Sequence, residues 1–400
     1  MIDRGKVISA LQDKEQKFQE FVAERDKQRF ALEEQLAQFL RYDYQAILNA
    51  LAERGLAWPG ALPTPELDVA DALCMPFAAE WKNHQEARAW AMQILHNRSV
   101  AAVDGSQITP TGEYSVPIGA MQIGWFINEH REGGSYEKDV YFEVMAPQEV
   151  VDDESTNMES GQPDRRVNQL RFISECQKLC EIMVRSEHLP PAQKPLCFFD
   201  GSFIISFAGQ MRPQLAEPYV RTIIELLDCS KRTRVPLVGF VDDSHSRDLV
   251  TLMGHITQRH DGRATGDAAM LHRHLPAAWG VRSPFFACAR EDGLSKEGRA
   301  HFYNETVFTY MRLTSDRPPA RIEMPLWILE DGRAAEIMDL VRAECVVGAG
   351  YPYAIETADA LAVISQQDRQ RFYALFEQFA QRQEINFTRT RKAASKRVRR

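Results

Sequence analysis

The sequence predicts a layered α/β fold preceded by a long helical arm. From about residue 99 onward, short apolar runs of strand-like composition alternate with helical segments, which is the order of a sheet covered by helices. The first 56 residues contain only Gly5 and Gly55 as breakers and are dense in Glu, Lys, Gln, Leu and Ala. These two observations separate an N-terminal helical arm from an α/β body.

Composition restricts the class of protein. The chain has 400 residues, of which 44% are hydrophobic and 26% charged, so it can bury a large core and is neither disordered nor collagenous. Its seven cysteines form no C-x-x-C pair, so neither a disulfide framework nor a zinc knuckle is indicated. No run approaches the ~18 apolar residues of a membrane helix, and no apolar signal region opens the chain. We therefore expect a cytoplasmic protein with reduced thiols.

The charge is distributed unevenly. The net charge of -8 includes seven positive residues and no acid in the last twelve positions, which leaves 41 basic and 56 acidic residues elsewhere. An acidic body with a basic tail could hold a polyanion locally, and a solvated, frayed terminus is the alternative.

A meander of three strands is predicted after the arm. A helix rich in Ala, Trp and Glu at about 77–97 precedes it. The run 99–104 is apolar and ends in Asp-Gly-Ser, and 116–127 and 138–145 continue in strand-like composition.

Strands and helices alternate over the rest of the chain, after a polar loop at 150–166. The predicted strands are 196–200, 235–241 and 323–329. The predicted helices are 168–184, 217–229, 246–259 and a last long helix that opens at 358–365.

Two Asp-Gly-Ser turns are the most informative motif. Asp104-Gly105-Ser106 and Asp200-Gly201-Ser202 each follow an apolar strand, and ligands of layered α/β sheets bind at strand ends. Clustered carboxylates bind hard divalent cations such as Mn²⁺ or Mg²⁺, and a pair of such cations can drive phosphodiester cleavage. An ordinary turn, in which Asp accepts backbone hydrogen bonds, is the alternative for each copy. Two copies after two core strands favour the functional interpretation.

The order of these motifs, together with the run Gly348-Ala-Gly-Tyr-Pro-Tyr-Ala-Ile-Glu-Thr-Ala-Asp-Ala-Leu-Ala-Val-Ile-Ser365, resembles the NurA nuclease family over roughly residues 95–375. The resemblance implies an RNase H-like mixed sheet flanked by helices, and a Mn²⁺- or Mg²⁺-dependent DNA nuclease with 5′-to-3′ exonuclease and single-strand endonuclease activity. It also implies a homodimer that works with a HerA-type hexameric translocase in DNA end processing, repair or defence.

The resemblance carries over to four candidate catalytic and metal-binding residues. Asp104 and Asp200 match the family's two strand acids directly. The helix acid is Glu175 or Glu181, and we prefer Glu175 because it stands at the border of the helix's apolar face.

The fourth candidate departs from the family pattern. The family commonly has a histidine shortly after Gly-Tyr-Pro, where this chain has Ala358-Asp359. Because oxygen suits hard cations, we assign Asp359 as the fourth ligand and keep Glu356, one turn earlier, in reserve.

Several neighbouring residues have structural or DNA-binding interpretations. We expect Ser106 and Ser202 to cap their own turns. We expect Phe203 and Phe207 to pack in the core, whereas Tyr351 and Tyr353 are candidates for facing DNA.

The pair Asp242-Asp243 also follows a core strand, and we expect it to cap the helix at 246–259 rather than bind metal.

Three regions are therefore predicted: a helical arm and subdomain at 1–95, a NurA-like nuclease domain at 96–380 and a basic tail at 381–400. Two other functions stay open. One is a non-catalytic adaptor that places a translocase on DNA, and the other, less favoured, is an actin-like nucleotide-binding protein, whose turns read Asp-x-Gly.

Overall fold

The computed structural model describes residues 2–150, 163–259 and 265–388, and the chain divides into two compact units. Unit 1 consists of Met1–Ala79 and Val241–Leu326, and unit 2 of Glu80–Phe240 and Trp327–Arg400. The predicted boundaries at residues 95 and 380 stay predictions. Most of the predicted polar loop and the last twelve residues of the basic tail lie outside the described residues.

Strands and helices follow one another along the chain in the predicted alternation. The strands are β1 (Gly60–Pro63), β2 (Val100–Ile108), β3 (Gly119–Asn128), β4 (Tyr136–Met145), β5 (Leu196–Asp200), β6 (Leu237–Val241), β7 (Phe286–Ala289), β8 (Thr306–Met311) and β9 (Ala320–Pro325). The helices are α1 (Arg4–Gln12), α2 (Glu15–Phe39), α3 (Tyr44–Glu53), α4 (His84–Leu95), α5 (Pro147–Val150), α6 (Pro163–Arg185), α7 (Pro213–Thr233), α8 (Asp248–Thr257), α9 (Asp267–His274), α10 (Gly293–Lys296), α11 (Leu326–Glu330), α12 (Ala334–Val347), α13 (Tyr353–Ala362) and α14 (Gln366–Arg382).

Unit 2 contains a mixed sheet in the order β6-β5-β2-β3-β4. The meander β2-β3-β4 is antiparallel, as predicted, while β5 runs parallel to β2 and β6 parallel to β5. Helices α6 and α13 both pack against β2 and β3. This arrangement confirms the predicted RNase H-like mixed sheet flanked by helices.

Unit 1 contains the antiparallel strands β1, β7, β8 and β9, which are neighbours in that order. Helix α8 packs against β1 and α2 packs against α8. The end of α2 is therefore buried, including Leu32 and Phe39, whereas Leu11 and Phe18 at the start of the arm are exposed.

Two predicted elements at the C-terminal side were wrong. The run 323–329 is not one strand, because β9 ends at Pro325 and the apolar residues after it begin helix α11. Short apolar runs cannot be assigned to strand or helix by periodicity alone. The last long helix is also two helices, since α13 ends at Ala362 and Ser365 forms a capping box with Asp368 that starts α14.

All seven cysteines are free. Within the described ranges, no helix is both long enough and apolar enough to cross a membrane.

Candidate active site

The two Asp-Gly-Ser motifs come together because their strands are parallel neighbours. In the β2–β5 ladder, Val103 lies beside Phe199, so the next residues, Asp104 and Asp200, lie side by side where this ladder ends. The strand β5 ends at Asp200, whereas β2 continues to Ile108, so the prediction of a turn at the first motif was wrong. Asp104 is half-buried and Asp200, the last residue of β5, is exposed. The sheet therefore positions two carboxylates side by side.

Gly105 creates the space that a third acid occupies. A Cβ atom at this position would lie 2.3 Å from Oε1 of Glu175 and 2.9 Å from Cγ of Arg171. A side chain at residue 105 would thus displace the Glu175 carboxyl group and crowd Arg171. Because Gly105 of the first Asp-Gly-Ser motif has no side chain, the Glu175 carboxyl group can reach this part of β2.

The structure brings Glu175, rather than Glu181, to the strand acids. Glu175 is 7% exposed, and its pKa responds to the charges of Asp104 and Asp200. Glu181 is exposed and pairs with Lys178 at 3.0 Å.

Arg171 is a site residue that the sequence analysis missed. It lies one helical turn before Glu175, and its Nη1 donates hydrogen bonds to Oε1 of Glu175 and to the carbonyl oxygen of Gly105, the latter at 3.1 Å. The i,i+4 spacing of an arginine and an acid on one helix could have identified it.

Helix α13 supplies the fourth acid because it lies unusually close to the sheet. Gly124 pairs with Asp104 across β2 and β3, and a Cβ atom there would lie 2.8 Å from the backbone nitrogen of Ala362. The small residue allows α13 to contact the strand directly. A hydrogen bond then joins the carboxyl groups of Asp359 and Asp104, and the reserve candidate Glu356 is exposed.

Tyr351, in the Gly-Tyr-Pro segment, contacts the second strand acid. Its hydroxyl donates a 2.7 Å hydrogen bond to Oδ1 of Asp200, and its ring packs edge to face against Phe240. Tyr353 is 39% exposed and lies edge-on to Phe126. Their predicted contact with DNA stays a prediction.

The carboxylates of this site carry an excess of negative charge. Burial raises the pKa of Asp104 to about 6, with further contributions from Asp200 and Asp359, while the backbone N–H of Gly105 lowers it. Burial also raises the pKa of Glu175 to about 7, against the lowering effect of Arg171. Burial, with a smaller contribution from neighbouring acids, therefore disfavours the charged forms of Asp104 and Glu175.

The donor set fits a hard divalent cation, although its side chains are not arranged around one. Across the described residues, no three His, Cys, Asp or Glu side chains stand ready to hold a metal ion. One oxygen of Glu175 is bonded to Arg171 and one of Asp200 to Tyr351. Carboxylate oxygens from four acids in this region are nevertheless the ligand type that suits Mn²⁺ or Mg²⁺.

The two motif serines behave differently. The hydroxyl of Ser202 accepts a 3.0 Å hydrogen bond from the backbone of Ile204 within its own turn, as predicted. The prediction for Ser106 was wrong, since its hydroxyl accepts a 3.3 Å bond from the backbone of Ile364, beyond α13.

The expected cap at Asp242-Asp243 was also wrong. Helix α8 begins later, at Asp248, and the Asp267 carboxylate accepts hydrogen bonds from the first-turn N–H groups of Leu249 and Val250. Asp242 instead pairs with Arg317 at 3.4 Å.

The aromatic residues after the second motif divide between core and surface. Phe203 is fully buried, as expected, and stacks on Phe199. Phe207 is 45% exposed, so its expected core position was wrong. It lies on a short turn rather than on a strand or long helix, and a turn buries few of its side chains.

Comparison with known proteins identifies a family match over most of the chain. Residues 98–364 match the family model of the NurA domain. No curated protein matches the sequence.

Several solved structures are similar at low identity. A crystal structure of NurA with manganese is 10% identical, with 70% of this chain and 89% of that chain covered and a TM-score of 0.41. NurA bound to dAMP and manganese is 12% identical, with 75% and 90% covered and a TM-score of 0.37. Endonuclease V from Bacillus subtilis is 10% identical, with 74% and 95% covered and a TM-score of 0.33.

Proposed function

Because the chain belongs to the NurA family of nucleases, we propose that it is a metal-dependent deoxyribonuclease. Its site consists of Asp104, Glu175, Asp200 and Asp359, which hold Mn²⁺ or Mg²⁺. The activity is 5′-to-3′ exonuclease and single-strand endonuclease cleavage.

The convergence of four acids from four separate elements carries this proposal. Asp104 and Asp200 come from β2 and β5, Glu175 from α6 and Asp359 from α13. Glu175 is buried and Asp104 half-buried, while Asp200 and Asp359 are exposed, and carboxylates held near one another repel unless positive charge offsets them. DNA nucleases supply that charge as divalent cations.

The chain's own residues prepare this site in three ways. Gly105 leaves the space that Glu175 fills, while Arg171 orients the Glu175 carboxylate against the strand. Tyr351 directs one oxygen of Asp200 by its hydrogen bond. When bound, a pair of divalent cations activates water and stabilises the leaving oxygen of the phosphodiester.

Family membership also supports the proposed assembly. We propose that the protein forms a homodimer in the cytoplasm and works with a HerA-type hexameric translocase in DNA end processing, repair or defence. The alternative, a non-catalytic adaptor between translocase and DNA, would need none of the four acids. The presence of the two strand acids, the helix acid and Asp359 favours the enzyme.

A nuclease assay tests the proposal. Purified protein is incubated with linear duplex or single-stranded DNA and Mn²⁺, Mg²⁺ or EDTA, alone and with a co-encoded translocase. We expect cleavage with the cations and none with EDTA. Binding of DNA and translocase without cleavage under any condition would favour the adaptor.

A further inference from the structure

Phe207 occupies an unusual position for a large apolar side chain. It lies on the short turn Ser206–Gln210, which follows the second Asp-Gly-Ser motif and packs against α7. The turn buries Ala208 completely but leaves Phe207 45% exposed. The ring therefore adds to the surface of unit 2 rather than to its core.

A series of ring contacts fixes Phe207 relative to the site. Phe207 meets Tyr219 edge to face at 5.2 Å between ring centroids, and Tyr219 meets Phe172 at 5.1 Å. Phe172 in turn meets Phe199, the residue before Asp200, at 6.1 Å. The exposed ring is thus three ring contacts from the strand that ends in Asp200, and its orientation is held by packing.

Positive charge accompanies this surface. Burial raises the pKa of the Tyr219 phenol, but the charges of Arg171 and Arg166 lower it, so both guanidinium groups lie near the ring that supports Phe207. Arg171 also bonds Glu175, so the ring that supports Phe207 and the carboxylate site share one arginine. Aromatic rings and positive charge together are the features by which proteins bind single-stranded nucleic acid.

We propose that Phe207 is a stacking platform for an unpaired base of the DNA strand whose phosphate enters the carboxylate site. This inference rests on the proposed nuclease function. It restricts the substrate of the nuclease to DNA strands with an unpaired base where the strand contacts Phe207. Stacking on a ring face is independent of base identity, whereas a base inside a duplex has no face free. The Phe207 surface should therefore favour single strands without reading sequence.

A binding experiment in EDTA tests the platform without any cleavage. The affinity for a fluorescent oligothymidylate is measured by anisotropy for the wild type, F207A, F207L and F207W. Loss of one stacked base should raise the Kd of F207A about 5- to 150-fold. F207L should be weakened as well, because it keeps apolar bulk but no π-face, whereas F207W should bind at least as tightly as the wild type.

A matched control separates stacking from general loss of surface. Phe379 on α14 is 50% exposed, and it packs against Phe376. F379A should change the Kd by less than about twofold. Affinity of F207A for a covalently closed circular DNA duplex, which has no unpaired base, should likewise stay within about twofold of the wild type.

Tryptophan fluorescence gives a direct signature. Single-stranded DNA should change the emission of F207W beyond any change in the wild type, and should not do so for F379W. Wild-type affinity in F207A or F207L, or an unchanged emission in F207W, would overturn the platform. If D200A loses cleavage while F207A binds single-stranded DNA as tightly as the wild type, the stacking role of Phe207 is rejected and the proposed nuclease function is not. If the wild type binds no DNA at all, the result counts against the proposed function as well.

Discussion

Unit 1 and unit 2 each contain a group of acidic side chains with buried members, and the two groups are neutralised differently. In unit 1, Asp248 accepts hydrogen bonds from Arg290 at 2.7 Å and from Arg321 at 2.8 Å. Arg321 also donates to Glu323 at 2.6 Å. In unit 2, Arg171 pairs with Glu175, while Asp104 shares a hydrogen bond with another acid, Asp359.

The pKa values follow this difference. Burial alone would raise the pKa of Asp248, but Arg290 and Arg321 hold it below its usual range. Burial raises the pKa of Asp104 to about 6 and that of Glu175 to about 7, and neighbouring acids add to the effect. Arginines thus stabilise the charge of Asp248, whereas the charged neighbours that raise the pKa of Asp104 are acids. Asp267 in unit 1, whose pKa is raised to about 6 by burial and by the charge of Asp248, shows that a raised pKa is not confined to unit 2.

The largest expected effect is on the stability of unit 1. D248A leaves Arg321 and Arg290 without a shared acid, and breaking a buried ion pair costs about 3–5 kcal/mol. We expect this loss in the free energy of unfolding measured with urea. D242A, which removes an exposed ion pair with Arg317, should cost less than about 1 kcal/mol. Equal losses in the two variants would contradict the structural role of Asp248.

The strand acids of unit 2 should behave in the opposite way. D200A and D104A should reduce metal-dependent cleavage by at least about 100-fold, since even outer partners of metal ligands contribute about 10- to 100-fold. Their stability in EDTA should be unchanged or higher, because a like-charge neighbour is removed. Cleavage is measured on single-stranded DNA, with D242A as the matched acid control. Wild-type cleavage by D200A would reject the catalytic assignment.

A smaller effect distinguishes the two acids of α6. E175Q should lower cleavage at least about tenfold, because Glu175 faces Asp104 and Asp200, whereas E181Q should change it by less than about twofold. Both variants are isosteric, so circular dichroism should match the wild type. If E181Q lowered cleavage more than E175Q, the site acid of α6 would be Glu181, on another face of the helix.

The smallest effect is a pH dependence of the metal-free protein. Between about pH 4 and pH 6, Asp104 binds more protons in the folded state than in the unfolded chain, so its contribution to stability falls as the pH rises through this window. Relative to D104N, the wild type in EDTA should lose on the order of 1 kcal/mol between pH 5 and pH 7.5.

Metal addition sharpens the same measurement. Mn²⁺ at pH 7.5 should raise the Tm of the wild type more than that of D104N, since a ligand that binds the folded state stabilises it. Parallel stability curves for the two proteins, with and without Mn²⁺, would show that Asp104 neither carries excess charge nor binds the cation.

Much of unit 2 follows from local patterns. Short apolar runs followed by Asp-Gly-Ser predicted β5 as observed and the first half of β2, with Asp104 and Asp200 after them, whereas β2 continues through its motif to Ile108. The apolar face of α6 likewise placed Glu175 at its border. The break between α13 and α14 was harder, because the capping box at Ser365 follows an uninterrupted apolar helix pattern.

Other site features depend on contacts between distant segments. Arg171 matters because its guanidinium reaches the carbonyl of Gly105, 66 positions away in the chain. Gly124 was not a candidate, yet its missing side chain lets α13 approach β3. Phe207 has the composition of a core residue and is exposed because its turn projects it outward.

The sequence by itself determined the alternation of strands and helices and the positions of Asp104 and Asp200 after apolar strand segments, because apolar periodicity acts over a few neighbouring residues. Only the tertiary structure decided that Asp359 meets Asp104 and that Glu175 is buried beside them. The charge of a carboxyl group depends on burial and on neighbours brought in from distant parts of the chain, and packing alone supplies both.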